Sequence, residues 1–238
     1  MQQTKDLMRA EYAAMKPSRF RRDRGASAVG TGSDYHFGSE AQYIKMIEHV
    51  RAMDRDDMYF GRIVDCAVEQ TVQEGFTFDP DTGDTEADQY IWGKWNYWAT
   101  NPELCDISGE NDYATITSIA YRSEIVDGDV IASLLKEGQL EMFEADRCRT
   151  PAGAPKNVVL GVELSPVRKR LAYYLTTEAI GARNRVSASK TARTSVRDED
   201  GERYLFHLYD PTRFSQTRGI TAFHAQLDAA GQFEDVNF

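Results

Sequence analysis

The chain is poor in cysteine: three in 238 residues, Cys66, Cys105 and Cys148, too far apart for any CxxC pair. That excludes a disulfide framework and a cysteine-rich zinc cluster, and it suits free thiols in a reducing compartment. No apolar run approaches the roughly 18 residues a membrane span needs. The opening residues, MQQTKDLMRAEY, have no apolar core for a signal peptide, so nothing in them directs export. Positive charge is also scarce. Lys and Arg number 28 against 38 Asp and Glu, a net charge of −10 at pH 7, with a pI near 5.0. Proteins that hold DNA by neutralising phosphates carry the opposite balance, which argues against a sequence-specific DNA binder.

Catalytic signatures are missing as well. There is no Walker A loop, no G-x-G-x-x-G after a strand and no G-x-S-x-G. The four histidines (His36, His49, His207, His224) have no i,i+4 pairing and no cysteine at zinc spacing. The acidic run DPDTGDTEAD invites a calcium loop, but counting from Asp79 puts Gly83 at position 5, Asp84 at 6 and Tyr90 at 12, none of which fits. A turn followed by a helix cap accounts for it better. Neither a metal nor an organic cofactor is called for. A Cys–His pair or a carboxylate dyad assembled by the fold stays open on residue types alone, and no spacing singles one out.

What is present is a globular composition: 41% hydrophobic and 28% charged residues, with a mean hydropathy of −0.55 that demands a strongly polar surface. Residues 1–38 form a separate region in which Lys16, Arg19, Arg21, Arg22 and Arg24 sit beside a Gly/Ser/Ala-rich stretch. Such a composition reads as a flexible basic arm, either a solvated tail or an element that docks on a neighbouring subunit or on nucleic acid. Ser39 and Gln42 then make an S-x-x-Q capping box ahead of a helix striped by Tyr43, Met46, Ile47, Val50 and Met53. A second helix, with Asp57 as its cap, carries Phe60, Val64, Ala67 and Thr71 on one face and stops at Gly75. FTFDPDTGD predicts a short strand and its exit turn. Thr85 is the expected cap of a third helix, on which Ile91, Trp95 and Trp98 share one side while Trp92 is displaced. Such a stripe is ordinarily core, its alternative an intersubunit anchor.

DYATITSIAYRSEIV predicts a fourth helix. Strands follow: GDVIASLL and QLEMFEADRCR joined at Gly138, then VVLGVEL and KRLAYYL about a Ser-Pro turn, then YLFHLY. SASKTARTSVRDEDG reads as a polar loop, and ITAFHAQLDAA as a short closing helix. Helices first and strands later make an α+β chain, with N-terminal helices followed by a mainly antiparallel sheet over residues 39–238. Between the last strand and the closing segment lies RFSQTRG. Its Arg213, Gln216 and Arg218 can either hold an anion or lock a corner through arginine-to-backbone bonds, and Gly219 permits the tight turn that follows.

The order of these pieces resembles the portal proteins of lambda-type tailed phages. R-x-x-Q-x-R-G after the histidine-bearing strand resembles that family's strand-and-loop signature, and MRAEYAAMKPSRFRR resembles its A-x-Y-x-A-A and basic arm. MDRDDMYFGRIVDCAVEQTVQEGFTF, DGDVIASLL with LEMFEADR, and GVELSPVRKRLAYYL match further family segments, so the resemblance covers most of residues 8–223. The chain departs from the pattern at three places. Asp56 or Asp57 replaces the usual asparagine, Gln73 or Glu74 a glycine, and Lys169 the hairpin glycine.

The resemblance implies a wing-type half of a portal subunit, without the stem, clip and crown parts. It implies a structural protein with no enzymatic role, in a homo-oligomeric ring, usually a dodecamer, at one capsid vertex of the virion, built in the host cytoplasm. Implied partners are the terminase large subunit, capsid and scaffold proteins, a head–tail adaptor, and DNA passing without sequence preference; no membrane is involved. Arg213, Gln216, Arg218 and Trp92 are then candidates for locking the loop or assembling the ring. Arg19, Arg21, Arg22 and Arg24 are candidates for contacting DNA or scaffold. A cytosolic α+β hydrolase of unrecognised type and a monomeric adaptor are the alternatives.

Overall fold

A computed structural model describes residues 39–176 and 190–224. Helix α1 (Glu40–Asp56) opens on Ser39, whose side chain accepts from the Gln42 amide. Its stripe faces inward, with Tyr43, Ile47 and Val50 buried. Asp57 stops α1 and caps α2 (Met58–Thr71), accepting from the amides of Tyr59 and Phe60. Phe60 and Val64 are buried against Val126 and Val50. Gln73 then takes a left-handed φ of 52°, so of the two positions where a family glycine stood in question it is Gln73, not Glu74, that does a glycine's work.

FTFDPDTGD forms no strand: residues 76–81 are irregular, because Phe76 and Phe78 find no neighbouring strand and remain exposed. Helix α3 (Thr85–Ala99) is capped by Asp84 rather than Thr85, Asp84 accepting from the Glu86 amide. A carboxylate one residue earlier outcompetes the hydroxyl for the orphan N–H groups. After the single turn α4 (Pro102–Cys105), helix α5 (Tyr113–Asp127) ends on Gly128 at φ 99°.

Two antiparallel sheets follow. Strand β1 (Val130–Leu134) lies between β2 (Leu140–Glu144) and β7 (Leu205–Leu208). The second sheet runs in the order β3 (Val158–Val159), β4 (Val162–Leu164), β5 (Arg170–Thr176), β6 (Thr191–Ser195). VVLGVEL is thus a hairpin and not one strand. Leu160 and Gly161 both have positive φ, 48° and 80°, the requirement of a two-residue type I′ turn. The expected polar loop SASKTARTSV contains β6, which pairs with β5 from Ala172↔Ser195 to Thr176↔Thr191. Its sequence is too polar to read as a strand, because β6 lies at the sheet edge with mostly half-exposed side chains.

At the β4–β5 turn the left-handed residue is Arg168, φ 64°. The glycine-like backbone of this hairpin thus stands at Arg168, one residue before Lys169. Residues 220–224 contain a turn but no helix, and the rest of the closing-helix segment lies outside the described residues. The two sheets bury Ile131 and Leu205 from one side against Val162, Leu164, Tyr173 and Leu175 from the other. Helix α1 seals one end of this core through Tyr43, Ile44 and Ile47 on Ala145 and Leu160.

Candidate functional site

The loop that follows β7 turns inward. Arg218 has no solvent exposure and is the largest fully buried side chain among the described residues. Its guanidinium meets Asp129, the residue between Gly128 and β1, in a forked pair: Nε donates to Oδ2 at 2.6 Å and Nη2 to Oδ1 at 2.9 Å. Nη2 also donates to the Ala145 carbonyl at 2.7 Å, and Nη1 to the carbonyls of Leu160 at 3.0 Å and Cys148 at 3.2 Å. A guanidinium has five N–H groups, and all five are used. The Tyr43 ring lies beneath it, 5.0 Å from centroid to Cζ. One side chain thereby ties α1, the α5–β1 junction, the turn after β2 and the β3–β4 hairpin together.

Asp129 is equally occupied. Besides Arg218, its Oδ2 accepts from the Gly219 amide at 2.9 Å and from His207 Nε2 at 2.8 Å. Burial alone would raise this carboxyl, but Arg218 first and His207 next outweigh burial and hold it far below the ordinary carboxylate range. Burial lowers His207 despite Asp129, so the ring is neutral at neutral pH and donates through Nε2–H. The closeness at Gly219 leaves no room for a side chain: a Cβ there would lie 1.8 Å from the Gly128 carbonyl oxygen.

Gln216 is buried in the same loop. Its Oε1 accepts from the Thr212 amide at 2.9 Å and the Thr212 hydroxyl at 3.1 Å, and its Nε2 donates to the Arg218 carbonyl at 2.9 Å. Arg213 is only half-buried and lines a cleft on the other side of the loop. The structure thus brings Gln216 and Arg218 together and leaves Arg213 apart.

Sequence reading missed Asp129. The signal was in D-G-D (127–129), where two acids flank a left-handed glycine: Asp127 pairs bidentately with Arg51 at 2.5 and 2.7 Å, and Asp129 with Arg218. His207 was legible only as a histidine in a strand.

Cys148, His207 and Asp129 do gather about Arg218, but the His207 and Asp129 side chains are at most 1% exposed and Cys148 is 1% exposed. Burial pushes the Cys148 thiol up to about 11, the opposite of what a nucleophilic thiolate needs. No group of three or more His, Cys, Asp or Glu side chains among the described residues is arranged to hold a metal ion.

The tryptophan helix behaves differently. Trp95 and Trp98 stack on each other (centroids 5.1 Å apart) and against Tyr113 and Phe78, and Trp98 Nε1 donates to the Gly138 carbonyl. Yet no residue of α3 is fully buried, and Trp92, Tyr90 and Tyr97 are 52%, 67% and 63% exposed. Arg19, Arg21, Arg22 and Arg24 lie outside the described residues.

A family profile for phage portal protein, lambda family, matches residues 20–237. The chain belongs to that family. It is a structural family, which implies an oligomeric ring associated with the capsid. No curated protein matches the chain significantly. No described helix of this portal chain is long and apolar enough to cross a membrane.

Proposed function

We propose that this chain is a structural subunit of a portal ring at the capsid vertex, forming the channel through which DNA is packaged and ejected and docking terminase and tail. The observation that carries this reading is the family match across residues 20–237. The charge balance supports it: a wall with a net charge of −10 repels phosphates at long range and does not impede a moving duplex by adhesion. The exposed aromatic face of α3 supports it too. A ring closed head to tail needs two different adhesive faces on each subunit, and Trp92 is suited to anchor one of them.

On this reading the ring has about twelve copies and meets the terminase large subunit, capsid and scaffold proteins and a head–tail adaptor, first in the host cytoplasm and then in the virion. The basic residues Arg19, Arg21, Arg22 and Arg24 contact DNA or scaffold. Arg218 and Gln216 serve the ring indirectly, by fixing the loop from within. Light scattering on the protein from its complete reading frame, with negative-stain imaging of the same sample, tests the proposal. Annular particles of about a dozen subunits support it. A clean monomer overturns it and favours the monomeric adaptor.

A further inference from the structure

Helix α3 turns a row of residues outward. Glu86, Tyr90, Gly93 and Tyr97 follow at spacings of four, three and four, which sets them along one side of the helix. Trp95 and Trp98 hold the opposite side against Tyr113. Glu86, Tyr90 and Tyr97 are exposed. Outside the helix's own backbone, a Cβ added at Gly93 would meet no atom of the described residues within 4 Å. Inside a helix, glycine is the least favourable residue except proline. Among the described residues nothing packed on Gly93 requires a glycine, so the requirement points outward, to a group that approaches the backbone between the two tyrosine rings.

The surroundings of that row are acidic and aromatic. Residues 76–99 hold five acids (Asp79, Asp81, Asp84, Glu86 and Asp88) and one base, Lys94. Asp84 is spent on capping α3, and Asp88 accepts from the Thr82 amide and hydroxyl. Among the described residues, no hydrogen bond or ion pair engages the side chains of Asp79, Asp81 and Glu86. Lys94 Nζ lies 5.5 Å from the centroid of the Tyr90 ring, so that ring already takes a cation over its face. Carboxylates interleaved with tyrosine rings suit guanidinium groups, which pair with the first and stack on the second.

The chain carries the complement. Residues 16–24 hold five bases (Lys16, Arg19, Arg21, Arg22 and Arg24) and one acid, Asp23. We propose that the basic segment 16–24 of one copy docks on the α3 face of a neighbouring copy, with an arginine seated at Gly93 between Tyr90 and Tyr97. This rests on the ring reading and names a contact that closes the ring. Position favours a neighbour over the same copy. Glu40 accepts from the Thr150 amide at 3.0 Å, past the Glu144 end of β2, whereas Trp98 fixes α3 at the Gly138 carbonyl, past its Leu140 end. The chain before Ser39 therefore joins the subunit at the end away from α3, and a head-to-tail ring brings unlike surfaces of successive copies together. Arg22 stands 17 residues before Ser39, a reach of up to about 60 Å. Carboxylates satisfy the same guanidinium groups that DNA phosphates do, so this dock and nucleic acid compete for the segment.

Cross-linking and charge reversal on the full chain test the dock. Arg22→Cys combined with Gly93→Cys is oxidised and run beside each single variant on a non-reducing gel. A ladder of covalently joined copies is expected in the double variant alone. Arg21→Glu with Arg22→Glu, Asp81→Arg with Glu86→Arg, and the four-fold combination are then followed by light scattering across a concentration series. Each pair of reversals should raise the concentration needed for assembly by about tenfold or more, and the combination should recover most of that loss. Gly93→Gln should move two readouts apart. It fills the place of the arginine and weakens assembly, yet raises the melting temperature by about 2–4 °C because glutamine is the better helix former. Rings that persist unaltered in every variant, with no ladder, overturn the dock and leave the ring reading standing. A cross-link within one copy, seen as a monomer of altered mobility, overturns the contact between copies. Arm reversals that lower affinity for a 60-base-pair duplex and leave assembly unchanged assign the segment to DNA alone, which also overturns it. A ladder from a protein that forms no rings supports the contact even though the ring reading has failed. Neither ladder nor rings overturns both.

Discussion

The buried corner around Arg218 and the surface of α3 invert what their sequences lead one to expect. RFSQTRG is polar and short, yet it delivers a glutamine, a threonine and an arginine to the interior, with Gln216, Thr217 and Arg218 all buried. TEADQYIWGKWNYWA carries all three tryptophans and buries none of its residues fully. The difference lies in what each has to satisfy. A guanidinium can enter the core because five acceptors were already there: one carboxylate and three carbonyls at strand ends and turns that no ladder uses. Among the described residues the aromatic helix lies on Tyr113, Phe78, α4 and the β1–β2 turn, and none of its side chains is fully buried. Stability should therefore reside in the polar loop and association in the apolar helix.

The largest effect that can break this contrast is expected at Arg218. Arg218→Ala strands Asp129 as a buried, half-paired charge and takes the guanidinium donors from three carbonyls, so chemical denaturation should show a loss of about 3–5 kcal/mol or no folded protein. Arg218→Lys should recover little, since an ammonium has three donors and no forked geometry. A loss below about 1 kcal/mol would mean that the corner does not hold the fold.

Gly219→Ala comes next. Gly219 sits so close to the Gly128 carbonyl that one methyl group forces the loop away from Asp129. We expect a cost of about 1–3 kcal/mol in the same denaturation experiment. A substitution without effect would show that the loop can shift away from Gly128 at little cost.

Much of the architecture was readable, and the misreadings share a cause. The helices of the first half were legible because Ser39, Asp57 and the stripe on α1 are local signals. Strand β6 was not, because TARTS has no alternation of apolar residues and is defined by its partner β5 alone. The hairpin in VVLGVEL was hidden by Leu160, a residue that avoids positive φ unless something else holds it there. Here its side chain is packed on α1 and its carbonyl accepts from Arg218. At the corner, the arginine and glutamine stood out by type, whereas Asp129 was marked only by the D-G-D before its strand, and nothing tied it to an arginine 89 residues away. Long-range pairing is what a single sequence conceals.

Acid should test the corner more gently. His207 is lowered by burial, so the unfolded chain binds the imidazole proton more readily than the folded one, and stability is lost as pH falls below about 6.5. Asp129, depressed chiefly by Arg218, adds its own loss only below the ordinary carboxylate range near 4. Urea midpoints measured between pH 7 and 5 should therefore fall, at a rate of at most about 1.4 kcal/mol per pH unit from one proton. His207→Gln keeps a donor for Asp129 and should flatten that slope. An equal slope in the variant would assign the acid sensitivity elsewhere.

The smallest effect on stability is expected at Trp92, and this is where the contrast is sharpest. Half its surface is already in water, so Trp92→Ala should change the unfolding free energy by no more than about 0.5 kcal/mol. Its effect on association should be of another order. An aromatic anchor removed from a subunit face typically costs 2 kcal/mol or more, about a thirtyfold rise in the concentration at which particles form. Melting and light scattering on one sample read both quantities. If Trp92→Ala lowers the melting temperature and leaves assembly untouched, α3 is a poorly covered part of the core, and the second adhesive face of the subunit must be sought elsewhere.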